Sequence, residues 1–189
     1  MGSPMTRFPR RAVTTGAAAM LALSACGNGV GSDGSTKLDA RVDATLQFLD
    51  TNYPGTRDLN EKAVGVLVMP LITEAGFGIG GSYGRGALRV DNITVDYYSA
   101  AQASVGFQIG AQQYAHVLYF MTEEALAEFR TSSGWAAGAD IEYVANDQGA
   151  NLSAETTTVL DPVIAVVFGQ AGLLAGASVE GTKYTRIIP

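Results

Sequence analysis

The chain has 189 residues, of which 47% are hydrophobic and 16% charged, enough for one domain with a sizeable core. Its 12 basic residues face 18 acidic ones, and three of the basic residues, Arg7, Arg10 and Arg11, lie in a first segment without acids. The rest of the chain is therefore strongly acidic, which excludes binding to nucleic acid by overall charge. Any anion site must be a local basic patch.

The first 25 residues have the pattern of an export signal. Arg10 and Arg11 give a basic start, and residues 17–23 are apolar but too few to span a membrane. The run Leu23-Ser24-Ala25-Cys26 resembles the bacterial lipobox, whose cysteine is diacylated. We therefore predict a lipoprotein signal peptide over residues 1–25 and lipidation of Cys26, the chain's only cysteine. A generic secretory peptide is the alternative, and the paired arginines leave twin-arginine export open.

Residues 26–37 are mostly Gly, Asn, Ser and Asp, which predicts a flexible tether before a domain over residues 38–189. The domain begins with an amphipathic helix that ends at Pro54-Gly55. Its apolar positions recur at helical spacing: Leu38, Val42, Leu46, Leu49 and Tyr53. Because the opposite face is mostly acidic, the pattern favours packing on a sheet over lying on a membrane.

A glycine-rich stretch, Ala75 to Gly86, follows a short apolar strand predicted over residues 64–72. With period two, one face of this stretch carries large side chains such as Ile79 and Tyr83, and the other carries only glycines and Ser82. A strand with one bare face allows another element to approach its backbone closely.

The remaining elements predict a sheet of bent strands. Asp91-Asn92 predicts a hairpin turn, and residues 106–111 repeat the pattern of residues 76–81. Thr122 begins a helix that buries Leu126 and Phe129. Other strands are predicted over residues 114–120, 136–144, 150–160, 163–168 and 173–186. The predicted fold class is α+β, with a curved, mostly antiparallel, glycine-rich sheet and a few packed helices.

Two catalytic or cofactor motifs overlap in the glycine stretch. Gly76, Gly78 and Gly81 spell G-x-G-x-x-G, with Asp96 at the distance expected of a ribose-binding acid. That turn requires a helix at its third glycine, and a hairpin is predicted there instead. The dinucleotide hypothesis is therefore disfavoured.

Ser82 lies in a G-x-S-x-G pattern, and Ser82, Asp96 and His116 follow the chain order of an α/β-hydrolase triad. No helix is predicted after Ser82, however, and His116, the only histidine, falls in a predicted strand. A buried, hydrogen-bonded histidine is the simpler interpretation. With one histidine and one lipidated cysteine, neither an enzyme nor a metal or other cofactor is predicted.

Five of the nine basic residues that follow the signal peptide flank the predicted glycine strand and the last strand. If the sheet brings them together, they form a cationic patch suited to a phosphate group. Solvated cations without a common target are the alternative. The predicted patch consists of Lys62, Arg85, Arg89, Lys183 and Arg186.

Several motifs together resemble the SYLF domain family, from about Ala63 to Arg186. They are Gly65–Pro70, Ala75–Gly84, Tyr97-Tyr98-Ser99, Gly106–Gly110, Phe120-Met121-Thr122, Ala125-Leu126, Phe129, Gly134-Trp135 and Gly172–Thr182. The resemblance implies a lipid-binding domain. Eukaryotic members bind phosphoinositides and regulate actin and membrane remodelling, and bacterial members are short secreted or lipid-anchored proteins.

Two functions are therefore expected, neither of them enzymatic. In the first, the protein is exported, is held in the bacterial envelope by the Cys26 acyl chains, and binds phospholipid head groups through its SYLF domain. Gly27 after Cys26 favours the periplasmic face of an outer membrane where the cell has one. In the second, the domain is an envelope scaffold for a protein partner and lipid serves only as the anchor.

Overall fold

The computed structural model describes residues 32–138, 141–144, 161–169, 172–173 and 179–189. Its helices are α1 (Gly34–Asn52), α2 (Gly55–Lys62) and α3 (Glu123–Thr131). Its strands are β1 (Gly65–Val90), β2 (Ile93–Phe120), β3 (Trp135–Ala136), β4 (Ile141–Val144), β5 (Val163–Gly169), β6 (Gly172–Leu173) and β7 (Lys183–Ile187). The predicted α+β class is confirmed.

The long β1–β2 hairpin organises one seven-stranded sheet. One end of β2, residues 115–120, pairs with β5, and a separate part, residues 97–101, pairs with β7. Strand β3 extends the sheet beyond β7, and β6 pairs with β5. Strand β4 runs parallel to β5, whereas the other pairings among the described strands are antiparallel. The sheet is therefore mostly antiparallel, as predicted.

Strand β1 bends so strongly that it meets itself. A Cβ atom on Gly76 would lie 2.7 Å from the Cα atom of Gly80, two residues that would lie far apart in a straight strand. Further along, a Cβ atom on Gly86 would lie 2.1 Å from the carbonyl oxygen of Val68. The bare glycine face is thus the side on which β1 contacts its own backbone, and the predicted strong bend is confirmed.

The predicted hairpin turn and the predicted start of α3 are both present in the structure. Asp91 and Asn92 have φ values of 51° and 62°, the conformation that a tight two-residue hairpin turn requires. The Thr122 hydroxyl accepts a hydrogen bond of 3.2 Å from the backbone N–H of Ala125 and so caps α3.

Some element boundaries differ from the prediction. Helix α1 begins at Gly34, so the last four residues of the predicted tether are helical. Pro54 ends α1 but directly precedes α2, a helix that was not predicted. The strands expected over residues 64–72 and 75–86 are one strand, because a register shift between Met69 and Ile72 accommodates Pro70. The strand expected over residues 150–160 lies outside the described residues.

The two faces of the sheet bury separate cores. The inner face packs Leu67, Leu118 and Tyr184 against Phe129 of α3. The outer face packs residues such as Val68 and Tyr119 against α1 and α2, and its cluster comprises Val42, Leu49, Leu59, Val66, Val68, Ala87, Ala115, Val117, Tyr119, Ile164, Val166 and Phe168. Side chains of adjacent strand residues therefore belong to different layers.

Replacing Gly86 with alanine should destabilise the fold. Its methyl group would overlap the Val68 carbonyl oxygen, and overpacking of this kind costs about 1–3 kcal/mol or more. Urea denaturation measures the change in the free energy of unfolding. Gly134→Ala is the matched control, because its nearest neighbour is Cε of Lys183, the flexible end of a side chain that can move away. Equal stability of the two variants would contradict the self-contact of β1.

Candidate functional site: an apolar crest and its surroundings

The bend of β1 produces a crest, defined here as residues 75–83 of β1 and the paired residues 101–111 of β2. The inward positions of β1 at the crest are occupied by Gly76, Gly80 and Ser82, and Ile79 and Tyr83 point outward. Ile79 is 78% exposed and Tyr83 is 55% exposed. The crest therefore presents large apolar side chains to solvent on a narrow turn of the sheet.

An apolar groove of about 210 Å³ adjoins the crest on the outer face. Its walls include Phe168 and the half-exposed side chains of Phe48 and Leu71, and the rings of Phe48 and Phe168 stack at 5.7 Å. The carbonyl oxygen of Leu71 lies 2.4 Å from the position of a Cβ atom on Gly84, the residue after Tyr83. The backbone of Leu71, in the wall of the groove, thus lies beside the residue that follows the crest in β1.

The crest lies in a part of the chain with few charges. Residues 75–84 and 97–122 contain no Asp, Glu, Lys or Arg, although the chain as a whole has 30 such residues. At the base of the crest, Glu74 accepts a 2.8 Å hydrogen bond from Gln112. Absence of charge over both strands of the crest removes the usual electrostatic cost of contact with an apolar phase.

Two of the predicted basic residues lie beside the crest on the outer face. Arg85 lies two residues from both Tyr83 and Ala87 in β1 and therefore points to the same face as they do. Ala101 of β2 pairs with Tyr83 on one side and with Lys183, which is exposed, on the other, so these three residues share that face. Neighbouring strands are about 4.8 Å apart, so the Tyr83 and Lys183 backbones are separated by about 10 Å. The structure therefore brings Arg85 and Lys183 to one side of the crest.

The other predicted cations lie elsewhere. Arg89 forms a 2.7 Å ion pair with Asp43 of α1, and only 15% of its side chain is exposed. Arg186 is on the inner face, where it pairs with Asp96 at 3.3 Å and lies over the ring of Tyr98. Lys62 is exposed at the end of α2. The five residues thus do not form one patch, and Cys26 lies outside the described residues.

The residues of the hydrolase hypothesis are engaged separately. Ser82 lies within β1, which continues as a strand to Val90, so neither the nucleophile turn nor a dinucleotide-binding helix is present there. Asp96 pairs with Arg130 and Arg186 at 3.3 Å. Nε2 of His116 is 2.8 Å from the Tyr184 hydroxyl.

Two further observations concern metals and membranes. Among the described residues, no three His, Cys, Asp or Glu side chains converge as they would around a metal ion. No helix in the same part of the chain is long and apolar enough to cross a bilayer.

His116 is buried in the inner core, and burial lowers its pKa to about 3 because the charged imidazolium would lose its hydration. Below pH 6.5, the unfolded chain binds a proton at this residue and the folded chain does not. The free energy of unfolding therefore decreases as the pH decreases. At pH 5 this residue should lower the free energy of unfolding by about 2 kcal/mol relative to pH 7.

The variant His116→Gln retains a hydrogen-bonding side chain opposite Tyr184 and should lose less stability over the same interval. Urea denaturation of both proteins at the two pH values isolates the contribution of His116 from that of the carboxyl groups. Because the chain has a single histidine, its imidazole NMR signal gives an independent readout. A titration midpoint near pH 6.5 in the folded protein would contradict the prediction.

Comparison with known families identifies the domain. A family model described as Ysc84, Las17-binding protein actin regulator, matches residues 101–186, from the crest portion of β2 to β7. No curated protein matches the chain significantly. The resemblance proposed for residues 63–100 lies before the matched range and stays a prediction. Residues 101–186 of this chain therefore match the SYLF (Ysc84) family, as the motifs predicted.

Proposed function

We propose that the chain is an exported, lipid-anchored protein of the bacterial envelope whose SYLF domain binds phospholipid head groups without catalysing a reaction. The anchor is Cys26, which ends the lipobox-like run. Where the cell has an outer membrane, its periplasmic face is the proposed location.

The placement of Arg85 and Lys183 beside the crest carries the proposal. A guanidinium and an ammonium group bind phosphate oxygens through charge-assisted hydrogen bonds. The chain is acidic overall, so an anionic membrane repels most of its surface. A local pair of cations next to an uncharged crest is therefore the part of the described surface best suited to approach a head group.

The proposal of a non-enzymatic role is supported by how the candidate catalytic groups are used. His116 is buried with Tyr184, and Asp96 is bound between two arginines. A catalytic base must reach its nucleophile, whereas these contacts join His116 and Asp96 to residues that the triad hypothesis does not include.

A second candidate is an envelope scaffold that binds a protein partner. The matching family, described as a Las17-binding protein actin regulator, favours this candidate because its description names a protein ligand. Under this hypothesis, the acyl chains alone hold the protein at the membrane. The two functions differ in whether the unlipidated domain binds vesicles at all.

The test uses a chain that begins at Gly27, which retains every described element. It is floated with vesicles of phosphatidylcholine and phosphatidylglycerol in equal parts, at low and high salt. Arg85→Glu combined with Lys183→Glu should weaken binding at least about thirtyfold, since each cation near an anionic surface contributes about 1 kcal/mol. Binding should also weaken with salt.

Arg41→Glu combined with Arg57→Glu is the matched control, because both residues are exposed on the helices and the net charge changes equally. It should bind vesicles nearly as well as the parent chain. Circular dichroism verifies folding, and Arg85→Gln with Lys183→Gln gives a milder second pair. Equal loss in the two glutamate pairs would mean that overall charge alone matters. Absence of vesicle binding by the parent chain would favour the scaffold.

A further inference from the structure

We propose that the crest inserts into the outer boundary of a phospholipid bilayer, with Ile79 and Tyr83 as its contact side chains. This inference rests on the proposed function and specifies the mode of membrane contact. Head-group binding alone would be electrostatic and would not require any apolar side chain to leave water.

Packing within the described part of the fold does not account for the exposure of these two side chains. Ile79 is 78% exposed and Tyr83 is 55% exposed, on a strand whose inward positions are packed. Leu71 and Phe48, which are also exposed, line the groove on the outer face. Clustered exposure of large apolar groups marks an interaction surface, whereas single exposed groups need no explanation.

The crest is suited to an apolar phase in both charge and backbone. Its two strands contain no Asp, Glu, Lys or Arg, groups that are costly to move into a bilayer. Its strands also pair with each other, at Phe77 opposite Ile109 and, after a register shift, from Gly78 opposite Gly106 to Tyr83 opposite Ala101. This pairing satisfies the backbone groups that face the partner strand, which would otherwise lose hydrogen bonds to water on insertion.

The shape of the crest favours a bilayer over a folded protein partner. A stable protein interface buries about 800 Å² on each side, usually over a broad surface. The described side chains that the crest exposes, Ile79 and Tyr83, instead lie on a tight bend at Gly76 and Gly80. Tyr83 also has the aromatic ring and hydroxyl that are enriched where hydrocarbon meets water. Arg85 and Lys183, beside it, would then lie at the level of the phosphates.

The proposed anchor would keep the crest close to the membrane. Seven residues, 27–33, lie between Cys26 and Gly34, the start of α1, which makes eight residue-to-residue steps. An extended chain spans at most about 3.5 Å per residue, so the domain begins within about 28 Å of an acylated Cys26. This distance is comparable to the length of α1, about 28 Å for 19 residues. A short connection of this kind raises the local concentration of the domain at the bilayer.

Substitution of Ile79 with serine tests the proposal on the chain that begins at Gly27. Vesicle binding should weaken about tenfold, because a buried isoleucine side chain contributes strongly to apolar transfer. The loss should persist at about 1 M salt, where charges are screened within about 3 Å. Ile93→Ser is the matched control, since Ile93 is 67% exposed at the hairpin turn of the same two strands and should have no effect.

A fluorescent probe gives an independent readout of depth. The chain that begins at Gly27 has no cysteine, so Ile79→Cys and Ile93→Cys each provide one attachment site for an environment-sensitive fluorophore. On addition of the same phosphatidylcholine and phosphatidylglycerol vesicles, emission from position 79 should shift to the blue. Emission from position 93 should stay unchanged.

The outcomes separate this inference from the function beneath it. Vesicle binding that is retained in Ile79→Ser, with no emission shift at position 79, would overturn the crest insertion and leave head-group binding intact. Failure of every variant to bind vesicles would overturn both. Equal blue shifts at positions 79 and 93 would also overturn the inference, because they would indicate non-specific adsorption.

Discussion

The close approach of β1 to its own backbone is the constraint on which the rest of the structure depends. Gly84 and Gly86 lie against residues 68–72, at distances where any side chain would collide with backbone or with buried side chains. This contact brings Leu67 and Leu88, far apart along one strand, into the same inner core. Helix α3 then packs Phe129 against that core, and α1 covers the outer face. Glycine weakens a strand locally, and the burial of these two layers offsets that cost.

The same constraint determines what the protein exposes. Because Gly76, Gly80 and Ser82 occupy the inward side of the bend, Ile79 and Tyr83 lie outward. The bend also places the backbone of Leu71, which lines the groove, next to Gly84. An element that appears in the sequence as a glycine motif thus has two effects, a packed interior and an apolar exterior. Neither effect requires a phosphate or a nucleophile.

Local signals in the sequence predicted much of the fold. Asp91-Asn92 and Thr122 act through their own backbone and side-chain geometry, so their roles are readable from residue type. The period-two alternation of the glycines also identified the bare face. Helix α2 was missed because Pro54 was interpreted only as the end of α1, although proline is also compatible with the start of a helix. The predicted strand over residues 150–160 lies outside the described residues and therefore stays a prediction.

The candidate site was less predictable, because it depends on which face each residue takes. Lys183 and Arg186 are three apart in one strand, so alternation alone places them on opposite faces. That signal was present in the sequence and argued against a single patch. The ion pair of Arg89 with Asp43 could not be predicted, since it requires the position of α1 on the sheet. Exposure at Ile79 and Tyr83 likewise emerges only when β1 folds back on itself.

Charge neutralisation within the fold determines how the domain can face a membrane. Asp43 neutralises Arg89 and Asp96 lies against Arg186, so these arginines add little to the long-range field. The remaining surface is dominated by the acidic residues of the chain, which outnumber the basic ones by 18 to 12 even with the export segment included. An anionic bilayer therefore repels most orientations of the domain. In the proposed orientation the crest leads and Arg85 and Lys183 follow, so no acidic residue in the crest portion of either strand faces the bilayer.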